Sequence, residues 1–272
     1  MIIDGKKIAA ELREQLKKKV AELKSTYNVV PGLTVILIGE DPPSKIYVKN
    51  KEKFAIEVGI NSEVIRYPEN VEEKTVLNKI QELNSNKKVS GILVQLPVPQ
   101  HINKRKVIET IDPNKDVDGL HPENVGLMLG GTPRFVPATP LGIQQLLIRT
   151  DNSPSGKHVV VCGRSDIVGK PVASLLLQKD TAANATVTIC HTGTADMGVI
   201  TRQADILIAA VGRPEFITAD MVSAGVVVID VGINRKTDPS SKRGYRLVGD
   251  VDYVNVSEKA SAITPVPGGV GP

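Results

Sequence analysis

Short apolar runs rich in Val and Ile alternate along this chain with stretches of helical period, and that alternation restricts the fold more than any other feature. Parallel strands need a long crossover, which a helix supplies, so the alternation predicts parallel sheet with both faces covered. Asp4 is placed to cap a long amphipathic helix in which Ile8, Leu12, Leu16, Val20 and Leu23 recur three or four apart. Pro31-Gly32 breaks to a strand from Thr34 to Ile38, and Ser44 is placed to cap a second helix that stops at Gly59. A strand at 60–66, a helix at 70–85 and a strand from Gly91 to Gln95 follow. A second series opens with Val159 to Cys162, a glycine turn, and a helix from Val168 to Gln178. It continues through strands at 185–190, 206–211 and 226–231, the doubly wound dinucleotide-binding pattern. Between the two series lie three prolines in 133–140, the expected hinge, and a helix from Leu141 to Thr150. Residues 178–184 and 238–243 read as polar surface loops.

Composition narrows the function classes. A chain of 272 residues suits two domains, and with 3% aromatics and no Trp its core must be built from Val, Ile, Leu and Ala. The net charge of +4 is small, and basic residues do not interleave with aromatic ones as a nucleic-acid reader requires. Cys162 and Cys190 form no CxxC pair and His101, His121, His158 and His191 have no ligand spacing, so neither a metal site nor a disulfide scaffold is expected. A polar helix follows Met1 directly and no run of about 18 apolar residues occurs, which predicts a cytoplasmic protein without membrane contact.

Gly163-Arg164-Ser165-Asp166-Ile167-Val168-Gly169 lies between a strand and a helix, where a tight turn brings backbone N–H groups and the helix N-terminus to a pyrophosphate. The spacing departs from Gly-x-Gly-x-x-Gly, and an ordinary tight turn is the alternative. At the end of the next strand, Cys190-His191-Thr192-Gly193-Thr194 offers no carboxylate for a ribose hydroxyl, while Arg164 suits a 2′-phosphate, which favours NADP over NAD.

In the second helix Tyr47, Lys51, Phe54 and Val58 share one face, so Lys51 interrupts a mostly apolar stripe. Either its ammonium snorkels to solvent, or it is desolvated, with a lowered pKa and a capacity for general acid–base work that Tyr47 could orient. Gln95 and Asp118 sit at the carboxyl ends of strands, where ligands collect in such sheets. Their plainer readings are a strand-end amide and an Asp-Gly turn. The terminal Pro265-Val266-Pro267-Gly268-Gly269-Val270-Gly271-Pro272 either approaches a ligand closely or is a linker.

Taken together, these motifs resemble the bifunctional methylenetetrahydrofolate dehydrogenase/cyclohydrolase family over nearly the whole chain. The marks are Asp41-Pro42-Pro43-Ser44 with Tyr47-Val48 and Lys51, Gly91 to Pro97, Lys115 to Gly119, Pro137 to Pro140, Gly163 to Pro171, Asp230 to Asn234, Gly249-Asp250-Val251, and Pro265 to Pro272. The resemblance implies an α/β catalytic domain at 1–138, joined by 265–272, a Rossmann-like NADP domain at 139–264, and a folate cleft between them. It implies oxidation of 5,10-methylenetetrahydrofolate by NADP to the 5,10-methenyl form, then hydrolysis to 10-formyltetrahydrofolate. Lys51 would be the general acid/base of the second step, with Tyr47 and Gln95 shaping its surroundings. Leu96, Asp118, Pro267, Gly268 and Gly271 would bind folate, and Gly163, Arg164, Ser165, Thr192 and Ile233 the dinucleotide. A homodimer through the nucleotide domains is also implied. Three departures from the family pattern are Thr192, where many relatives carry Ser, the segment Gln178 to Asn184, longer than usual before the second strand and expected to be a surface loop, and the end at Pro272, beyond which relatives continue into a helix. A monofunctional dehydrogenase, a shikimate-type oxidoreductase and a dinucleotide-sensing module without turnover are the competing readings.

Overall fold

The computed structural model describes residues 1–241 and 244–272. They form two compact units, one of residues 10–136 and the other of 1–9 with 137–272. The helix α1 (Gly5–Tyr27) contributes to both.

In the first unit, β1 (Gly32–Ile38), α2 (Pro42–Glu57), β2 (Asn61–Tyr67), α3 (Glu73–Ser85) and β3 (Gly91–Val94) realise the expected alternation. The short helices α4 (Lys104–Thr110) and α5 (Pro122–Leu129) follow. The sheet is parallel, in the order β2-β1-β3. Its central strand is apolar on both faces because both are covered. Ile36 and Ile38 join Ile92, Ile80 and Val107 on one side, and Val35 and Leu37 join Val48 and Leu93 on the other. Ile36, Ile80 and Ile92 are fully buried, each stabilising the fold by roughly 1.5–3 kcal/mol.

The second unit runs α6 (Ala138–Arg149), β4 (His158–Cys162), α7 (Gly169–Leu176), β5 (Thr186–Cys190), α8 (Met197–Thr201), β6 (Ile206–Ala209) and β7 (Val227–Asp230). A hairpin of β8 (Asn234–Thr237) and β9 (Tyr245–Val248), the helix α9 (Tyr253–Ser257) and the short strand β10 (Ala262–Ile263) complete it. Its parallel five-stranded sheet has the order β10-β7-β6-β4-β5. Beyond β10 the amino terminus adds a bridge between Ile2 and Ile263, with Ile3 N–H donating to the Ile263 carbonyl.

Several expectations are corrected. The helix expected from Leu141 begins at Ala138, so the proline hinge is shorter. Pro140 lies in the first turn, where its missing N–H costs nothing. The α1 stripe is only partly a core face, since Ile8 and Val20 are buried while Leu16 and Leu23 are exposed. The hairpin was not foreseen. Of the polar loop expected at 238–243, positions 242 and 243 lie outside the described residues. Among the described residues no helix is long and apolar enough to cross a membrane, and no group of His, Cys, Asp and Glu is arranged to hold a metal.

Candidate active site and dinucleotide site

In each of the two parallel sheets the chain order reverses about its first strand, and the crevice beyond the carboxyl ends at that switch point is where ligands bind in such folds. In the first unit the switch point lies between β1 and β3. The helix α2, which follows β1, is capped by Asp41 rather than by Ser44. The Asp41 carboxylate accepts from Ser44 N–H at 2.9 Å and Ser44 Oγ at 2.7 Å. Pro42 and Pro43 fill the first turn, where no N–H is needed.

The buried positions of α2 are Ser44, Val48 and Ala55, and Val58 at its C-cap is also buried. Lys51 is in line with them (44, 48, 51, 55, 58 repeats at four and three), while Tyr47 and Phe54 flank that row half-buried. Lys51 therefore does not snorkel free. Its Nζ donates to Gln95 Oε1 at 3.1 Å. The amide of Gln95 is held in that orientation because Nε2 donates to the Leu96 carbonyl at 2.8 Å. Gln95 N–H donates to the Ile36 carbonyl at 2.9 Å, carrying the β1–β3 ladder one residue past the strand. Tyr47 stands one turn before Lys51, and burial raises its phenol. The hydrogen bond that orients Lys51 goes to Gln95, not to Tyr47.

Burial lowers the Lys51 ammonium below its ordinary 10.5, against the opposing pull of Asp118. Burial likewise raises the Asp118 carboxyl, which Lys51 lowers and Asp116 raises further. Burial thus pushes both partners toward their neutral forms, and a lysine whose ammonium is lowered in this way is suited to general acid–base work.

Asp118 does occupy an Asp-Gly turn, with Gly119 at φ +64°. That turn is fixed by Asp116 and Asn124, to which the sequence alone assigns no role. Asp116, 2% exposed, bridges to Ile92. Its Oδ2 accepts from His121 N–H at 2.8 Å and Asn124 Nδ2 at 2.9 Å. Asn124 is fully buried and accepts from Arg134 Nη1 at 3.0 Å. The signal was present as the Asp116-x-Asp118 pair, but nothing in the spacing shows that one carboxylate builds the turn the other uses.

In the second unit the switch point lies between β4 and β6. Gly163 follows β4 with φ +130°, and a Cβ there would lie 2.2 Å from the Ala210 carbonyl oxygen. A Cβ on Gly169 would lie 2.2 Å from the Gly163 oxygen. Both glycines are thus required by close backbone approach, and the altered spacing still builds the turn. Ser165 Oγ accepts from Val168 N–H at 3.2 Å and Gly169 N–H at 3.3 Å, closing the turn and leaving its own proton for an outside acceptor. Thr192 is exposed just beyond β5.

Beside it, His191 Nδ1 accepts from Gly193 N–H at 3.0 Å, while its Nε2 lies 3.3 Å from Arg164 Nη1. A neutral imidazole has one acceptor nitrogen and cannot satisfy both, so one contact sets donor against donor. An anion between Arg164 and His191 would satisfy the pair.

The C-terminal segment packs on the first turn of α1. A Cβ on Gly5 would lie 1.6 Å from the Gly269 oxygen, and one on Gly268, at φ +112°, would lie 3.2 Å from Lys6 Cε. Pro267 is exposed beside it. Gly271 adjoins Ile233, whose Cδ1 would be 3.5 Å from an added Cβ. One residue expected for folate and one expected for the dinucleotide therefore meet.

Comparison with known proteins follows the same division. Residues 3–118 match the model of the tetrahydrofolate dehydrogenase/cyclohydrolase catalytic domain. Residues 137–272 match that of the tetrahydrofolate dehydrogenase/cyclohydrolase NAD(P)-binding domain. The chain is 58% identical to the bifunctional protein FolD of Prosthecochloris aestuarii over 274 residues, covering 100% of this chain and 93% of that protein. Among solved structures, the bifunctional FolD of Campylobacter jejuni is 46% identical with a TM-score of 0.92, over 100% of this chain and 93% of that one. FolD of Trypanosoma brucei, complexed with NADP cofactor and inhibitor, is 39% identical with a TM-score of 0.93, over 100% and 92%.

Proposed function

The chain belongs to the tetrahydrofolate dehydrogenase/cyclohydrolase family, and from that premise we propose how its residues divide the work of a bifunctional NADP-dependent enzyme. The enzyme oxidises 5,10-methylenetetrahydrofolate to the 5,10-methenyl form, then hydrolyses that cation to 10-formyltetrahydrofolate. Residues 1–138 carry the folate chemistry and 139–264 the dinucleotide. The observation that carries the hydrolytic assignment is Lys51, half-buried, bonded to Gln95 and facing Asp118.

Water attacking the methenyl carbon must lose a proton, the ring nitrogen that departs must gain one, and the hydroxyl of the tetrahedral intermediate must give up its own proton to solvent as the formyl carbonyl forms, so one proton leaves per turnover. Lys51, with its basicity lowered by burial, accepts the first proton and returns the second. Gln95 fixes the direction of its Nζ. Asp118 is assigned to the pterin amino groups through charge-assisted hydrogen bonds, and Leu96, Pro267, Gly268 and Gly271 to the remaining folate contacts.

The fit to a phosphate-bearing dinucleotide rests on the Gly163 cradle, which a Cβ would fill, and on the Arg164–His191 contact that lacks an acceptor. Gly163, Ser165 and Thr192 would hold its diphosphate and ribose, Arg164 its 2′-phosphate, and Ile233 its far end. When bound, NADP supplies the hydride acceptor for the first step. For that step the protein need only position the two rings, since no protein acid is required.

The test is a spectroscopic assay of Lys51→Met against the unaltered enzyme, following NADP reduction and methenyl hydrolysis separately. Hydrolysis is expected to fall by about a hundredfold or more while NADP reduction survives. Unchanged hydrolysis would remove Lys51 from the role, and absence of hydrolysis in the unaltered enzyme would leave a monofunctional dehydrogenase.

A homodimer through the second unit is part of the same reading. Support comes from β5, which ends its sheet with Ile189 39% exposed. Sedimentation equilibrium giving the mass of one chain would reject it. A cytoplasmic setting is supported by Cys162 and Cys190, buried as free thiols.

A further inference from the structure

Beyond the residues already assigned, the second unit holds a fully buried carboxylate with a complete set of partners and no assigned role. Asp250 follows β9. Its Oδ2 accepts from Val211 N–H at 2.6 Å and Gly212 N–H at 2.8 Å, and its Oδ1 accepts from Asn234 Nδ2 at 2.8 Å. Its own carbonyl accepts from Ile217 N–H at 2.9 Å. A Cβ on Gly232 would lie 2.2 Å from Oδ1, so the chain leaving β7 passes directly against this carboxylate.

These contacts converge on the switch point. Val211 and Gly212 lie on the exit from β6, and the preceding residue, Ala210, supplies the carbonyl oxygen against which Gly163 is packed. Ala210 N–H in turn donates to the Cys162 carbonyl at 2.8 Å. The position of 210–212 therefore sets one wall of the glycine turn. Asn234, on the other arm of the carboxylate, is the neighbour of Ile233.

We propose that Asp250 is a positioning residue for the dinucleotide, clamping the β6 exit that walls the Gly163 turn to the β7 exit that carries Ile233. One buried carboxylate thereby fixes the spacing of two segments that lie apart in sequence. The inference rests on the dinucleotide reading above.

The test is NADP affinity by titration calorimetry, alongside methenyl hydrolysis, for the unaltered enzyme, Asp250→Ala and Asp250→Asn. Loss of the clamp in the Ala variant should weaken NADP binding by at least about tenfold, the scale of one charge-assisted hydrogen bond. Hydrolysis, which needs no dinucleotide, should stay within about twofold. The Asn variant should recover most of the affinity. Its oxygen still accepts from Val211 and Gly212, and its amide donates to Asn234 once that side chain flips. Unchanged NADP affinity in a folded Ala variant would overturn the proposal. So would a parallel fall of affinity and hydrolysis in both variants, which marks a merely structural residue. If the Ala variant does not fold, Asn234→Ala cuts one arm alone, and an affinity unchanged from the unaltered enzyme would overturn the proposal in that case. Failure of the unaltered enzyme to bind NADP would instead overturn the dinucleotide reading itself, which keeps the two failures distinct.

Discussion

Lys51 and Asp118 act on each other through charge, and the direction is testable. The Asp118 carboxylate raises the Lys51 ammonium against the larger lowering by burial. Removing that charge with Asp118→Asn leaves burial unopposed, so the Lys51 pKa should fall further. The pH profile of methenyl hydrolysis should then turn at lower pH than in the unaltered enzyme, while the folate KM rises because the pterin loses its carboxylate. An unmoved inflection would mean that Lys51 does not titrate in that step, or that the two groups do not feel each other. The sequence made Lys51 visible as a cation in an apolar row, but it named the wrong row. Two neighbouring rows of α2 both contain position 51. The one with Tyr47 and Phe54 is the more hydrophobic to read, whereas burial follows Ser44, Val48 and Ala55. Asp116 and Asn124 were illegible for a different reason: their work is to accept and donate across a turn, and polar spacing carries no record of which partners a turn brings close.

The elements that were legible are those whose residues repeat with a period. The strands β1, β3, β4 and β6 read correctly because both faces are covered, which leaves nearly continuous runs of Val, Ile and Leu. The hairpin of β8 and β9 did not, because Asn234–Thr237 carries three exposed residues and one half-buried one, with no apolar face to alternate. Prolines misled at 137–140, where the rule that they resist a helix fails in its first turn. The same chemistry operates at α2, whose start depends on the side chain of Asp41 bonded to Ser44 N–H and Oγ. Asp41→Ala should lower stability by about 1 kcal/mol, as losses of such caps do. Urea denaturation followed by far-UV circular dichroism would measure it. A midpoint unshifted from the unaltered protein would show that the two prolines and tertiary packing hold the helix start without the cap.

At the scale of the whole molecule, the second unit keeps two buried carboxylates where strands end, and they are not equivalent. Asp250 is matched by donors on both oxygens. Asp230, 3% exposed, accepts from the backbone N–H groups of Gly232 and Asp250 on one oxygen and of Val251 on the other. Glycines beside both Asp residues make room, since a Cβ on Gly249 would lie 1.8 Å from Asp230 Oδ2. Burial nonetheless outweighs the three N–H donors, and with Asp250 nearby it pushes Asp230 from 3.8 up to about 6. A carboxyl whose folded pKa is raised binds more protons folded than unfolded between those two values. Its contribution to stability is therefore complete below about 3.8 and is lost as pH rises through about 6. The span corresponds to about 3 kcal/mol as an order of magnitude. Other carboxyls titrate in the same range, so the measurement is a difference: denaturant midpoints at several pH values for the unaltered protein and for Asp230→Asn. The Asn variant carries a constant offset from its mismatched amide but no titration at 230. The stability of the unaltered protein relative to the variant should decline from pH 4 to pH 6 and then level off. A difference that stays flat would place the Asp230 pKa near its ordinary value, with the three N–H donors outweighing burial. In that case this end of the sheet is held by a permanent charge, and the unit's stability owes its pH dependence to groups elsewhere.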